Sequence, residues 1–243
     1  MRMSVFDRGD LRQLNLGSEG WTAEAADRYA AEHCAGIGLD PTRPYDDLEF
    51  LRPLPGLRVL SLGASRVKDM SAVFAKTGLE EFGGGLTVRD LRGLSRLAKL
   101  RVLAVPYGRG IEEIAGLTEL EQLQLEAWPR DTDLGVLGPK PRLRTLWLSL
   151  RRTAEVSSAW FPSAPALVQL SLWAGRLTDT AGLAALTSLE ELRFAGTKVG
   201  DLGFVPGLPR LRLLELENAG EVRGPAPAGG LDLRVIGTTR ITG

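Results

Sequence analysis

Residues 143–150 read LRTLWLSL and residues 167–177 read LVQLSLWAGRL, and the two stretches share one frame. Leucine holds the first, fourth and sixth places of each. Places 4 and 6 are two apart, the period of a strand with one face buried, so the residues between them point the other way. The frame L-x-x-L-x-L returns at Leu11/Leu14/Leu16, Leu57/Leu60/Leu62 and Leu120/Leu123/Leu125. Slightly altered copies are Leu79/Phe82/Gly84, Leu100/Leu103/Val105, Leu189/Leu192/Phe194 and Leu211/Leu214/Leu216. The gap from Leu11 to Leu57 is double the others, and Cys34, Ile37 and Leu39 at its midpoint form a degraded copy in register. The copies then start at 11, 34, 57, 79, 100, 120, 143, 167, 189 and 211, at intervals of 20 to 24 residues.

The second half of each repeat has a different period. Leu48, Leu51, Leu54 and Leu57 are three apart, as are Leu91, Leu94, Leu97 and Leu100, then Ile111, Ile114, Leu117 and Leu120. Leu202, Val205, Leu208 and Leu211 repeat the pattern. Period two followed by period three predicts a short strand, a turn, and a tight 3₁₀-like or short helical return. Gly and Pro residues in the returns (Pro53, Pro55, Gly56, Gly116, Pro206, Gly207, Pro209) agree with that. One repeat cannot bury its own apolar side; stacked repeats merge their leucines into one continuous core.

These strands, with the turns that follow them (ASRVKDM at 64–70, AGRLTDT at 174–180, AGTKVGDL at 195–202), resemble the leucine-rich repeat family. Within it they are similar to the roughly 22-residue class of bacterial internalins and a eukaryotic phosphatase regulatory subunit. The resemblance covers about residues 11–236. It implies an α/β solenoid with a curved parallel β-sheet on the concave side and short 3₁₀ or α returns on the convex side. The asparagine ladder usual at the turn is largely missing, since Ser65, Gly175 and Thr197 stand there. A single solenoid over 1–243 is expected, with an N-terminal capping region at 1–33, repeats at 34–224 and a C-terminal cap at 225–243. MRMSVF and the first return, WTAEAADRYAAEH, should cover the N-terminal edge. Leu231, Leu233 and Val235 should form a last strand, with PAPAGG at 225–230 in place of a return.

Composition excludes several function classes. Thirty basic residues balance thirty acidic ones, which removes the electrostatic footprint of a nucleic-acid or anionic-membrane binder. The opening MRMSVFDRGD lacks the apolar core of a signal peptide, and no apolar run approaches a membrane span. One cysteine forms no internal disulfide, so a cytoplasmic, reducing compartment is expected. The chain by itself is expected to be a monomer.

Strand alternation puts positions 3, 5 and 7 of each repeat on the open face. Early repeats offer Gly36, Gly38 and Asp40, then Val59, Ser61 and Gly63, then Glu81, Gly83 and Gly85, then Val102, Ala104 and Pro106. This half is nearly bare. It reads either as a notch approached by a partner or the chain's own N-terminal segment, or as degeneration of the repeats, with degeneration preferred. Gly83–Gly85 would be the softest point of the sheet.

Later repeats offer Gln122, Gln124 and Glu126, then Thr145, Trp147 and Ser149, then Gln169, Ser171 and Trp173. Glu191, Arg193 and Ala195, then Leu213, Glu215 and Glu217 follow. Trp147 and Trp173 fall as diagonal neighbours about 7–8 Å apart at Cβ, with Ser149 and Ala195 too small to bury Trp173. Gln122, Gln124, Glu126, Trp147, Trp173, Arg193, Glu215 and Glu217 therefore compose a candidate partner-binding patch, aromatic anchors with a polar rim. The alternative is that the two indoles merely shield each other and the sheet. Trp128 either extends the patch or packs as a turn residue.

Catalytic groups are sparse. His33 and Cys34 are adjacent, so on a strand they would point to opposite faces, and Cys34 reads as a core residue. The chain lacks the usual His/Cys set for zinc, and GGG at 83–85 lacks the Gly-Lys-Ser/Thr of a phosphate loop, so neither metal nor other cofactor is expected. Asp69, Asp179 and Asp201 recur at one place in the repeat and read as caps of the returns, as do Asp46 and Asp47. RGD at 8–10 reads as a chance match to an integrin tripeptide. The functional expectation is a non-enzymatic module binding a protein or peptide on its concave face. Alternatives are an immunity or inhibitor protein acting on a basic toxin or enzyme, and glycan or flat small-molecule binding through the Trp147/Trp173 patch.

Overall fold

A computed structural model describes residues 3–40, 42, 45–63, 67–84, 88–130, 132–224 and 230–242. Ser65, Gly85 and residues 225–229, to which the sequence assigned a turn position, a face position and part of the C-terminal cap, lie outside that set. The chain divides into two compact units, Met1–Leu117 and Thr118–Gly243.

The first unit runs β1 (Ser4–Arg8), β2 (Leu11–Asn15), α1 (Ala23–Ala31), β3 (Gly36–Gly38), β4 (Val59–Ser61), α2 (Ser71–Phe74), β5 (Glu81–Gly83) and β6 (Val102–Pro106). Strands β2 to β6 lie side by side in chain order and parallel, because each repeat returns the chain to the start of the next strand. Leu14, Ile37, Leu60, Phe82 and Leu103 stand in one row of the register and are all fully buried. Ile37 in that row shows that the degraded copy at 34–39 is a true repeat. At the N-terminal edge β1 pairs antiparallel with β2. Helix α1 is capped by Thr22, whose hydroxyl accepts from the Ala25 N–H at 3.2 Å. Beside it Trp21 stacks on Phe50 at 5.0 Å and meets Tyr29 edge-on at 6.0 Å.

The second unit begins with β7 (Gln122–Trp128), β8 (Thr145–Leu150), β9 (Glu155–Ser157), β10 (Gln169–Trp173) and β11 (Arg176–Asp179). It continues with β12 (Glu191–Ala195), β13 (Lys198–Val199), β14 (Leu213–Glu217), β15 (Glu221–Arg223), β16 (Asp232–Ile236) and β17 (Arg240–Thr242). The order β7-β8-β10-β12-β14-β16 is parallel throughout. Its two inward rows are Leu123, Leu146, Leu170, Leu192, Leu214 and Leu233, and Leu125, Leu148, Leu172, Phe194, Leu216 and Val235. Burying each such side chain fully contributes about 1.5–3 kcal/mol relative to exposure. Both units thus form a mostly parallel sheet with short helical returns.

The returns are 3₁₀ turns in the period-three segments, among them Leu94–Arg96, Ile111–Gly116, Leu134–Leu137 and Ala181–Ala185. Of the aspartates read as caps, Asp46 does not act as one, since Asp47 takes the N–H at the start of that return. Asp47, Asp69 and Asp201 each accept from the N–H two residues on, in Glu49, Ser71 and Gly203. Asp90 and Asp133 do the same for Arg92 and Gly135 and extend the series. The Ser71 N–H and then the Ser71 hydroxyl, both bonded to the Asp69 carboxylate, hold its pKa below the usual range. Asp179 differs: its carboxylate serves first the hydroxyls of Ser157 and Ser158 in the preceding repeat, which lower its pKa, and only then the Ala181 N–H.

Two features of the turns were not read from the sequence. The segments after β8, β10 and β12 are themselves extended and pair as a second sheet, β9-β11-β13, with β15 and β17 pairing likewise. Val156, Leu177, Val199 and Val222 on these strands are buried, which is why the segments align. Strands β7, β10, β12, β14 and β16, though not β8, each meet a left-handed residue at position 8: Ala127 (φ 57°), Ala174 (φ 61°), Gly196 (φ 66°), Asn218 (φ 50°) and Gly237 (φ 70°). At the next position a remnant of the ladder survives. Thr197 is buried and its hydroxyl donates to Leu172 O at 2.9 Å, one repeat back. Thr239, two residues after Gly237, makes the same kind of bond, donating to Leu216 O at 3.1 Å.

Candidate functional site

The bare face of the first unit is not empty of cover. The hairpin β1–β2 folds so that the Arg8 guanidinium donates to Gln13 Oε1 at 3.2 Å and pairs with Glu81 on β5. At its turn, Asp10 takes a 3.2 Å ion pair from Arg58. Gln13 and Asn15 lie over β3, joined by a 3.0 Å bond from Gln13 Nε2 to Asn15 Oδ1, and leave Gly36, Gly38 and Asp40 buried. A Cβ on Gly36 would sit 3.0 Å from Gln13 Cβ, and one on Gly38 would overlap Asn15 Oδ1. Degeneration was therefore the wrong preference: at β3 the glycines make room for the chain's own N-terminal hairpin. Both charged side chains of the RGD triplet are engaged in these contacts. Gly83 is different, with nothing closer than 3.9 Å to a built Cβ.

Cys34 is buried, as expected of a core residue, and burial pushes its thiol pKa up, away from a nucleophilic thiolate. The geometric reason differs from the one expected, since His33 (φ 50°) and Cys34 lie in the turn between α1 and β3 and not on a strand. Among the described residues no group of three or more His, Cys, Asp or Glu could hold a metal ion.

The second unit displays its outward residues in three rows. Gln124, Trp147, Ser171, Arg193, Glu215 and Arg234 occupy the middle row. Ser149, Trp173, Ala195, Glu217 and Ile236 form the next, and Gln122, Thr145, Gln169, Glu191, Leu213 and Asp232 the third. Trp147 lies opposite Ser171 and Trp173 opposite Ser149, so the indoles are diagonal neighbours. Their ring centroids are 5.9 Å apart at 39°, and they stay 40% and 45% exposed. Each covers part of the other, yet neither is buried.

Around them is a cavity of about 200 Å³ lined by Gln124, Leu125, Glu126, Trp147, Ser149 and Trp173. Gln124 Nε2 donates to Glu126 Oε1 at 2.9 Å and fixes that carboxylate at the rim. Four of the eight residues in the expected patch meet here. Arg193 stands beside Ser171, which is only 4% exposed between Trp147 and Arg193, and its guanidinium donates to Glu191 at 2.9 Å. Glu215 and Glu217 lie on β14, one strand beyond Arg193, and Gln122 lies in the far row. Neither they nor Gln122 line the cavity.

Trp128 does not join the patch. A register shift in β7 after Leu125, with left-handed Ala127, turns its ring inward to full burial, where Nε1 donates to Thr132 O at 3.0 Å. A signal existed in the sequence, because Trp128 falls at the ladder position that Thr197 fills in its own repeat. A larger cavity of about 600 Å³ in the first unit is lined by Lys68, Asp69, Asp90, Arg92 and Arg96 among others. Its central charges already serve the fold, since Arg92 pairs with Asp90, and Asp69 caps α2.

No protein-family model matches the chain, and no curated protein sequence does. The internalin InlF of Listeria monocytogenes superposes on it with a TM-score of 0.61 at 19% identity, over 95% of this chain and 82% of that one. The fold is an internalin-like leucine-rich repeat solenoid. The functional domain of InlJ from Listeria monocytogenes gives 0.59 at 16% identity, over 85% of this chain and 44% of that one. InlJ includes a cysteine ladder, for which this internalin-like chain, with Cys34 alone, holds no counterpart.

Proposed function

We propose that the chain is a non-enzymatic protein-binding module that seats a segment of a protein partner on the open face of its second unit. The observation that carries this is the pair of half-exposed indoles at 5.9 Å walling a cavity of about 200 Å³ with Glu126 at its rim. That volume takes one large side chain, and exposed tryptophan is the residue most enriched among the anchors of protein interfaces. Glu126, Glu191, Glu215, Glu217 and Asp232 outnumber Arg193 and Arg234 on this face, so the partner segment is basic. A Lys or Arg side chain over an indole, with Glu126 beside it, satisfies both the ring and the carboxylate. The 39° tilt between the rings breaks the flat platform on which a sugar or other planar molecule would stack. That favours a protein over a glycan.

An inhibitor acting on a basic toxin or enzyme is the narrower form of the same reading. Its mark would be an association rate that falls steeply with salt. The test is affinity capture from the source organism with the wild type and with W147A/W173A, followed by mass spectrometry. Both variant side chains are exposed, so folding should persist, as circular dichroism would verify. Partners recovered with the wild type should disappear with the variant; equal recovery refutes the assignment.

A further inference from the structure

Beyond the tryptophan face, the geometry points to a second interaction surface: β16 is a self-association edge through which two copies of this chain pair antiparallel about a two-fold axis at Leu233. Among the described residues β16 has a strand neighbour on one side only, β14. The Asp232 N–H donates to Arg212 O at 2.8 Å, and Ile236 O accepts from the Asn218 N–H at 3.1 Å. The backbone groups of Asp232, Arg234 and Ile236 are thus spent on β14. By strand alternation those of Leu231, Leu233 and Val235 point to the free side.

The side chains of this edge are complementary to themselves. Antiparallel pairing about Leu233 sets Leu233 against its own copy and Leu231 against Val235, and these are the residues whose free N–H and C=O groups can be exchanged. It sets Asp232 opposite Arg234 of the second copy, twice, at the positions where strand side chains approach most closely. Centring the axis on Asp232 or on Arg234 would instead oppose like charges. Of these three centres, only Leu233 sets unlike charges opposite each other and uses the free backbone groups. Asp232 and Arg234 now bond each other along the strand at 2.8 Å, each about half exposed, so both are available.

The apolar side of the edge gives the pairing its driving force. Leu233 and Val235 continue the rows of buried Leu214 and Leu216, yet Leu233 is only half-buried and Val235 is 45% exposed. A paired copy would cover both. Strand β1, at the opposite edge, offers no such match: an axis at Phe6 would set Val5 against Asp7. A perpendicular two-fold keeps both open faces on one side of the joined sheet, so the dimer presents the Trp147/Trp173 site twice.

The test is charge reversal and its compensation, read by light scattering behind size exclusion with the full chain from about 1 to 100 μM. The wild type should approach twice the 26.3 kDa chain mass. R234D opposes two aspartates at each contact and should weaken dimerisation about tenfold or more. D232R/R234D inverts both charges, keeps the complementarity and should dimerise again. Circular dichroism keeps misfolding distinguishable from dissociation. A wild type that stays at 26.3 kDa throughout, an R234D dimer as stable as the wild type, or a folded double variant that stays monomeric overturns the pairing.

Discussion

Two glycine-to-alanine substitutions on one sheet should have opposite signs. A methyl on Gly38 enters space held by Asn15 and lies 2.7 Å from Gln13 Nε2 before anything relaxes. To admit it, the Gln13–Asn15 bond and the Arg8–Gln13 bond must open, each worth about 1 kcal/mol. Residual overpacking adds about 1 kcal/mol. The stiffer unfolded chain returns about 0.4–1 kcal/mol. The net is a loss of about 2 kcal/mol, or roughly 4–8 °C in Tm for a chain of this size. Gly83 has an ordinary negative-φ backbone and no neighbour within 3.8 Å, so G83A keeps only the chain-entropy gain and should stabilise by about 0.5 kcal/mol. Urea and thermal unfolding of both variants read the two signs directly. If G38A proved as stable as G83A, the hairpin would not cover β3, and the account of the buried glycines would fail.

Further tests address the turns and one buried cation. Lys140 is fully buried, with Nζ donating to Leu137 O and Pro139 O, and burial lowers its pKa to about 8. Between about 8 and 10.5 the unfolded chain holds a proton that the folded chain has released, so stability should rise with pH across that window, by at most about 3 kcal/mol. K140M should flatten that rise in urea titrations at pH 8 and 10; an unchanged slope would show that Lys140 does not cause it. Ala174 holds φ 61°, which costs an L-residue about 1–2 kcal/mol, so A174G should be neutral to about 1 kcal/mol more stable, whereas glycine at an ordinary strand position destabilises. D133A removes the 2.6 Å cap on the Gly135 N–H and should cost about 1 kcal/mol in the same assay, while D46A should change nothing measurable.

The strand frame was legible because leucine at places 4 and 6 has the period of the structure it forms. That fixed which face Trp147 and Trp173 take and which residues flank them. Trp128 escaped the same reading because a bulge and a left-handed Ala127 break the alternation one residue earlier, and a period cannot report its own interruption. Arg8 escaped for another reason: its partner Glu81 is 73 residues away, and nothing local in VFDRGDL encodes that contact. Lys140 carries no local signal of its burial, which comes from the packing around it. Asp179 shows the limit of position alone. It occupies the capping place of its repeat, yet Ser157 and Ser158 of the previous repeat compete for its oxygens.

Where a left-handed residue stands at position 8, it separates the strand half of the repeat from a return of variable length. From Leu120, Leu167, Leu189 and Leu211 the count to Ala127, Ala174, Gly196 and Asn218 is always seven residues, whereas the whole repeat varies between 20 and 24. In these repeats any difference in length therefore lies after position 8. An insertion on the return side should be tolerated, whereas the tryptophan face can be retargeted only by exchanging one side chain for another, on a grid whose spacing stays constant.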